Sequence, residues 1–196
     1  MQYNVPSFVD GRGVYGENTK SKTLYNPATG REIGKVNFAD PNLCQHAVAV
    51  AELAFHNWSQ TTPLKRAQIL FKFRGLVEKY TNDLAKVITQ EHGKTHDDAR
   101  GEIARAIELI EHHCAIIHQM QGQLSKHVSS HIDCYTFRQP LGVCAGVSPF
   151  NFPIMVPCWM LVPAIAAGNA FILKPSEQTP SAPVRFVELL QEAGLP

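Results

Sequence analysis

Residues 140–180, PLGVCAGVSPFNFPIMVPCWMLVPAIAAGNAFILKPSEQTP, decide the fold. From Pro140 to Leu173 no residue carries a formal charge, which raises the question of a membrane span of about 20 residues. Pro149, Pro153, Pro157 and Pro163, with Asn151 and Asn169, interrupt the run too often for an unbroken lipid-facing helix. The stretch reads instead as short elements: a buried strand from Gly142 to Val147, a buried helix from Pro153 to Ala167, and a second buried strand from Ala170 to Leu173. An amphipathic helix from Pro180 to Ala193 follows. Strands joined by helices of this length pair in parallel through right-handed crossovers. The expected architecture is α/β: the first half of a doubly wound, Rossmann-like parallel sheet. The final AGLP reads as a helix end leading toward a further strand beyond Pro196.

Upstream, the first forty residues alternate apolar segments with the turn signals Asp10-Gly11, Asn26-Pro27 and Thr29-Gly30, and predict short strands wrapping a larger body. Leu43, Ala47, Val50, Ala51 and Ala54 recur at helical spacing from Pro41 to about Asn57, with Asp40 as cap. Thr62-Pro63 opens a second helix whose apolar face is Ile69, Leu70, Phe73, Leu76, Val77 and Tyr80. Asn82 opens a third helix carrying Leu84, Val87 and Ile88. A fourth is expected from Thr95 to Met120, with Ile103, Ile107, Ile110, Cys114 and Ile117 inward and Arg100 and Glu108 outside. After Gly122 the alternation through residues 131–137, HIDCYTF, predicts a half-exposed ribbon that needs a partner edge. The division is therefore residues 1–123 as N-terminal strands and helices, 124–139 as a protruding oligomerisation ribbon, and 140–196 as the first part of the nucleotide-binding sheet.

Composition narrows the chemistry. A net charge of +1 with scattered basic residues offers no phosphate-neutralising stripe, which sets nucleic acid aside. The five cysteines show neither CxxC spacing nor an even disulfide framework and suit a reducing compartment. No signal or transit peptide is visible in MQYNVPSFVDGR; cytoplasm, or an organelle matrix after processing, is expected. His112, His113 and Cys114, with His118, His127 and His131, fit no zinc spacing, so no metal is expected.

In an open parallel sheet, ligands bind beyond the carboxyl ends of the strands. After the first strand stands SPFNFP, whose prolines restrict the loop carrying Asn151. The Asn151 amide either donates to a developing oxyanion or bonds neighbouring backbone in a turn. After the second strand, KPSEQTP places Lys174 and Glu177 where they either hold a ribose diol or form a solvated ion pair.

The two segments PLGVCAGVSPFNFP and PAIAAGNAFILKPSEQTP, with FVDGR, YNPATGREIGKV and HNWSQTTPLKRAQILFKF upstream, resemble the aldehyde dehydrogenase superfamily over essentially the whole chain. The resemblance implies attack of a cysteine thiolate on an aldehyde, hydride transfer to NAD and a residual thioester. It implies that Asn151 stabilises the oxyanion, that Lys174 and Glu177 hold the adenosine ribose, and that Ser148, Pro149 and Phe150 line the nicotinamide path. Phe150 departs from the tryptophan common there. With Met155–Met160, MVPCWM, it most resembles the methylmalonate-semialdehyde branch, which releases its thioester to coenzyme A as co-substrate. A short carboxylated aldehyde needs a cation, for which Arg105 is the candidate; pairing with Glu102 or Glu108 at helical spacing is the plainer alternative. Succinate semialdehyde or a betaine aldehyde are alternative substrates, and a non-catalytic assembly piece is the rival reading. The family's glycine-bearing turn, catalytic cysteine and complementary oligomerisation strand are expected beyond Pro196, so none of Cys44, Cys114, Cys134, Cys144 or Cys158 is assigned catalysis; all five are expected as core or near-core residues. The chain alone is expected to be inactive, and its assembly a homo-oligomer, dimer or tetramer.

Overall fold

The computed structural model describes residues 3–16 and 20–196. Strands β1 (Tyr3–Val5), β4 (Ser21–Tyr25) and β5 (Glu32–Asn37) form one sheet in the order β1-β5-β4, with β1 parallel and β4 antiparallel to β5. Between them β2 (Ser7–Val9) and β3 (Arg12–Val14) pair as a tight hairpin. Its turn residues Asp10 and Gly11 both have positive φ, 52° and 70°, the backbone that matches strand twist in a two-residue hairpin. The Asn26 side chain accepts from the Ala28 amide at 2.9 Å and closes the turn between β4 and β5.

Helices α1 (Pro41–Trp58), α2 (Pro63–Lys79) and α3 (Thr81–His92) start within a residue of their predicted positions. Asp40 accepts from the Leu43 amide at 2.8 Å, and Thr62 from the Lys65 amide at 3.4 Å. Helix α4 (His96–Cys114) starts within a residue of its expected position, with Thr95 as its cap. It does not run on to Met120: the helix stops at Ala115 and resumes as the short α5 (Ile116–Gln119). The break rotates the inward position, so Ile116 is buried and Ile117, expected inward, is exposed. Arg100 and Glu108 are exposed as predicted.

Strands β6 (Leu124–Ser129) and β7 (Ile132–Tyr135) form an antiparallel hairpin. The ribbon was expected half-exposed, yet every residue of both strands is exposed, because among the described residues no element covers either face. Strands β8 (Val143–Val147) and β9 (Ala170–Lys174) then pair in parallel, with α6 (Met155–Ala166) between them and α7 (Ser181–Glu192) after. The βαβα order is as read; the burial is not. Both strands are only partly covered and Val147 is 73% exposed, since α1 and α6 pack against a sheet of two strands.

The core lies among α2, α3, α4, α6 and α7, around Phe73, Ile88, Ile103, Ile110, Ile165 and Phe186. Trp58 donates from Nε1 to the Ile165 carbonyl at 2.9 Å, and Arg66 from Nε to that of Ala166 at 2.8 Å. The Arg66 bond serves a carbonyl at the end of α6, where helical partners run out, and the Trp58 bond adds to the one that the Ile165 carbonyl accepts from the Gly168 amide at 3.0 Å. No helix among the described residues is long and apolar enough to cross a membrane.

Candidate functional site

The loop from Ser148 to Ile154 leaves the carboxyl end of β8 and enters α6. Its first residue extends the sheet by one bond, the Ser148 amide donating to the Lys174 carbonyl at 3.1 Å. The carbonyl of Phe150 accepts from the Thr179 hydroxyl at 3.2 Å, and that of Asn151 from Lys94 Nζ at 2.7 Å. The same Lys94 Nζ donates to Glu102 Oε2 at 2.6 Å and lies 4.4 Å from the centroid of the Phe152 ring. Glu102 Oε1 accepts from the amides of Ile154 and Met155 at 2.8 and 3.2 Å. Helix α6 has no side-chain cap of its own, so a carboxylate from α4 serves its N-terminus, where unpaired amides and the helix dipole favour negative charge.

Asn151 itself is exposed, and among the described residues its side-chain amide makes no hydrogen bond. The turn-bonding alternative is thus absent from the structure; the backbone carbonyl, rather than the amide, is what the fold ties down. Ser148 is buried, and among the described residues its hydroxyl has no hydrogen-bond partner.

Lys174 is the last residue of β9 and Glu177 follows three residues later, with Lys174 Nζ 3.5 Å from Glu177 Oε2. Lys22, from β4, reaches Glu177 Oε1 at 3.3 Å. Glu177's own backbone N–H, and then the Lys22 bond, hold its carboxyl below the usual range against some desolvation. At neutral pH it is an acceptor only. All three side chains are at least one-third exposed, and such pairs exchange readily for other partners.

Arg105 lies one turn along α4 from Glu102 and pairs with Glu108 at 2.8 Å, the plainer of its two expected arrangements. It also borders a shallow groove of about 440 Å³ with Glu108, Leu109, His112, Met155 and Trp159. The groove follows the seam between α4 and α6, on the helix that begins at the Asn151 loop.

The sequence points to neither Lys94 nor Thr179, and to Glu102 only as a partner for Arg105, whereas Glu102 is buried and pairs with Lys94. Glu102 had a signal: it falls between Ala99 and Ala106, beside Ile103, on the apolar face of α4, where a carboxylate requires a partner. Gly93, at φ 88°, ends α3 in the left-handed conformation and turns the chain so that Lys94 faces that carboxylate.

The cysteines correct one expectation. Cys114 and Cys158 are buried and Cys144 is intermediate, but Cys44 and Cys134 are exposed. Burial, with Glu111 adding to it, pushes the Cys114 thiol up to about 11, and burial raises Cys158 further. Neither forms a ready thiolate.

Two histidines couple stability to pH. Burial, then the charge of Lys94, lowers the His92 pKa against an opposing pull from Glu102; burial lowers that of His113. The unfolded chain therefore binds protons that the folded chain resists. Stability from these groups is present above the ordinary histidine value of 6.5 and declines as pH falls below it. We expect the melting temperature to drop between about pH 7.5 and 5.5, and the doubly substituted H92Q/H113Q chain to lose part of that slope. An identical slope in the double variant refutes the assignment.

The sequence profile of the aldehyde dehydrogenase family matches residues 14–196. The chain belongs to that family. Malonate-semialdehyde dehydrogenase of Pseudomonas aeruginosa is 48% identical over 183 residues, covering 93% of this chain and 37% of the relative. The mitochondrial acylating methylmalonate-semialdehyde/malonate-semialdehyde dehydrogenase of Rattus norvegicus is 38% identical, covering 98% and 36%. A structure from Sinorhizobium meliloti 1021, described as a methylmalonate-semialdehyde dehydrogenase complexed with NAD, superposes with a TM-score of 0.97 at 45% identity over 100% of this chain and 40% of that one. The chain thus spans about 40% of the length of the family members it matches.

Proposed function

We propose that these residues form the oxyanion-stabilising and adenosine-binding part of an NAD-dependent dehydrogenase acting on a short carboxylated aldehyde, malonate or methylmalonate semialdehyde, with coenzyme A as the acyl acceptor. The observation that carries the reading is the placement of an unbonded Asn151 amide on a pinned loop at the carboxyl end of β8, beside Lys174 and Glu177 at the carboxyl end of β9. That edge is where an open parallel sheet binds nucleotides. The similarity to malonate- and methylmalonate-semialdehyde dehydrogenases supports the substrate class.

The residues present fit NAD. Glu177, ionised and partly exposed, is suited to accept from the two hydroxyls of a ribose, and Lys174 to donate to them. The same carboxylate would repel a 2′-phosphate, which favours NAD over its phosphorylated form. The unpartnered Ser148 hydroxyl, with Pro149 and Phe150, borders the path to the reacting end. Bound there, NAD supplies the hydride acceptor; the nucleophilic cysteine lies outside these residues. Asn151 donates a hydrogen bond from its amide N–H to the aldehyde oxygen as negative charge develops on it.

Arg105 supplies the cation for the substrate carboxylate from the α4–α6 groove, exchanging Glu108 for it. Both partners of that pair are more than half exposed, so the exchange costs little. The test is Arg105→Ala in a family-length chain carrying these residues. KM for malonate semialdehyde is expected to rise about tenfold while KM for propanal is unchanged, since only the former has a carboxylate to bind. Equal effects on both, or none on either, would refute the arginine's role.

The exposed β6–β7 ribbon, carrying Leu124, Val128, Ile132, Tyr135 and Phe137 at the surface, supports homo-oligomeric assembly through its free edges.

A further inference from the structure

The ion pair beneath the Asn151 loop is costly to build. Lys94 and Glu102 have side chains only 10% and 1% exposed, and burying two charges commonly stabilises a fold less than apolar packing of the same volume. What the pair accomplishes is geometric. The Phe150 carbonyl, on the peptide before Asn151, is fixed by Thr179. The Asn151 carbonyl, on the peptide after it, is fixed by Lys94. With both flanking peptide planes held, φ and ψ of residue 151 are set, and with them the direction of its Cα–Cβ bond. Glu102 then ties the arrangement to the start of α6 through two amides while holding Lys94 in place.

We propose that Lys94, held by Glu102, and Thr179 are positioning residues that aim the Asn151 side chain by clamping the peptides on either side of it. Among the described residues the clamp leaves the amide free of any hydrogen bond, so its donor is available without first breaking one. Preorganised donors act because they need no rearrangement when charge develops, and a displacement of about 1 Å can cost up to about a hundredfold in rate. This inference rests on the oxyanion reading of Asn151 given above.

The experiment is a double-mutant cycle in a family-length chain carrying these residues, with kcat and KM measured for malonate semialdehyde. Lys94→Met is expected to lower kcat about ten- to a hundredfold with a much smaller change in KM, and Lys94→Arg to restore part of the loss. In an Asn151→Ala background, Lys94→Met is expected to add nothing further, because the side chain it aims is gone. A general structural role predicts losses that multiply; that result overturns the clamp while leaving the oxyanion reading intact. If Asn151→Ala alone leaves kcat unchanged, the oxyanion reading falls and the clamp with it. Should Lys94→Met fail to fold, Thr179→Val replaces the hydroxyl of the other pin with a methyl of similar size, and the same cycle decides.

Discussion

Asn151→Ala in a family-length chain is expected to lower kcat about 10²–10³-fold, the usual consequence of removing one oxyanion donor. The same substitution is expected to leave stability nearly unchanged, because the Asn151 side chain is exposed and, among the described residues, bonds to nothing. The hydrogen bonds that shape the loop run to its backbone carbonyl and to those of its neighbours, all of which alanine retains. KM should move little, since the donor meets full charge only in the transition state. A large kcat loss together with an unaltered melting temperature is therefore the signature. A loss of both would mean that Asn151 supports the fold, and a loss of neither would exclude it from the chemistry.

The order of elements was legible because its signals are local. Asp40 and Thr62 cap helices within three residues of themselves, and the prolines and asparagines of residues 149–169 divide an uncharged run into strand, loop and helix. The helix break at Ala115 had no such sign: HHCAII contains neither glycine nor proline, and the register shift that buries Ile116 instead of Ile117 follows from packing. The exposure of β8, β9 and the ribbon likewise depends on what covers them, which periodicity does not report.

At the site the split is sharper. Asn151, Lys174 and Glu177 could be proposed because strand ends in a βαβ unit have a known use. Glu102 could be placed only by following α4 inward and asking what a carboxylate does on an apolar face. Its answer lies 52 residues further along the chain, in the amide of Ile154. Arg105 was weighed against Glu102 and Glu108 by helical spacing alone, and the structure sends these two carboxylates in opposite directions, one into the core and one to the surface.

Phe73→Ala is expected to destabilise the fold by about 3–5 kcal/mol, the usual cost of removing a buried aromatic ring. Phe73 in α2 is fully buried and meets the ring of Phe186 in α7 edge-on, with centroids 4.8 Å apart at 65°. The alanine leaves a void that neighbours on separate helices cannot fill without moving, and it also removes an aromatic pair of favourable geometry. Against a total stability of about 5–15 kcal/mol for a typical domain, that is a large share. The loss should reach the site, because α7 begins directly after the segment carrying Glu177 and Thr179, and its first amide, that of Ser181, is held by Glu91 at 3.1 Å. Urea denaturation of the two chains would measure the change, and Phe73→Leu should recover much of it by refilling the space. A loss under about 1 kcal/mol for the alanine variant would show that α2 and α7 close the gap, and would refute the rigid packing between them on which this prediction depends.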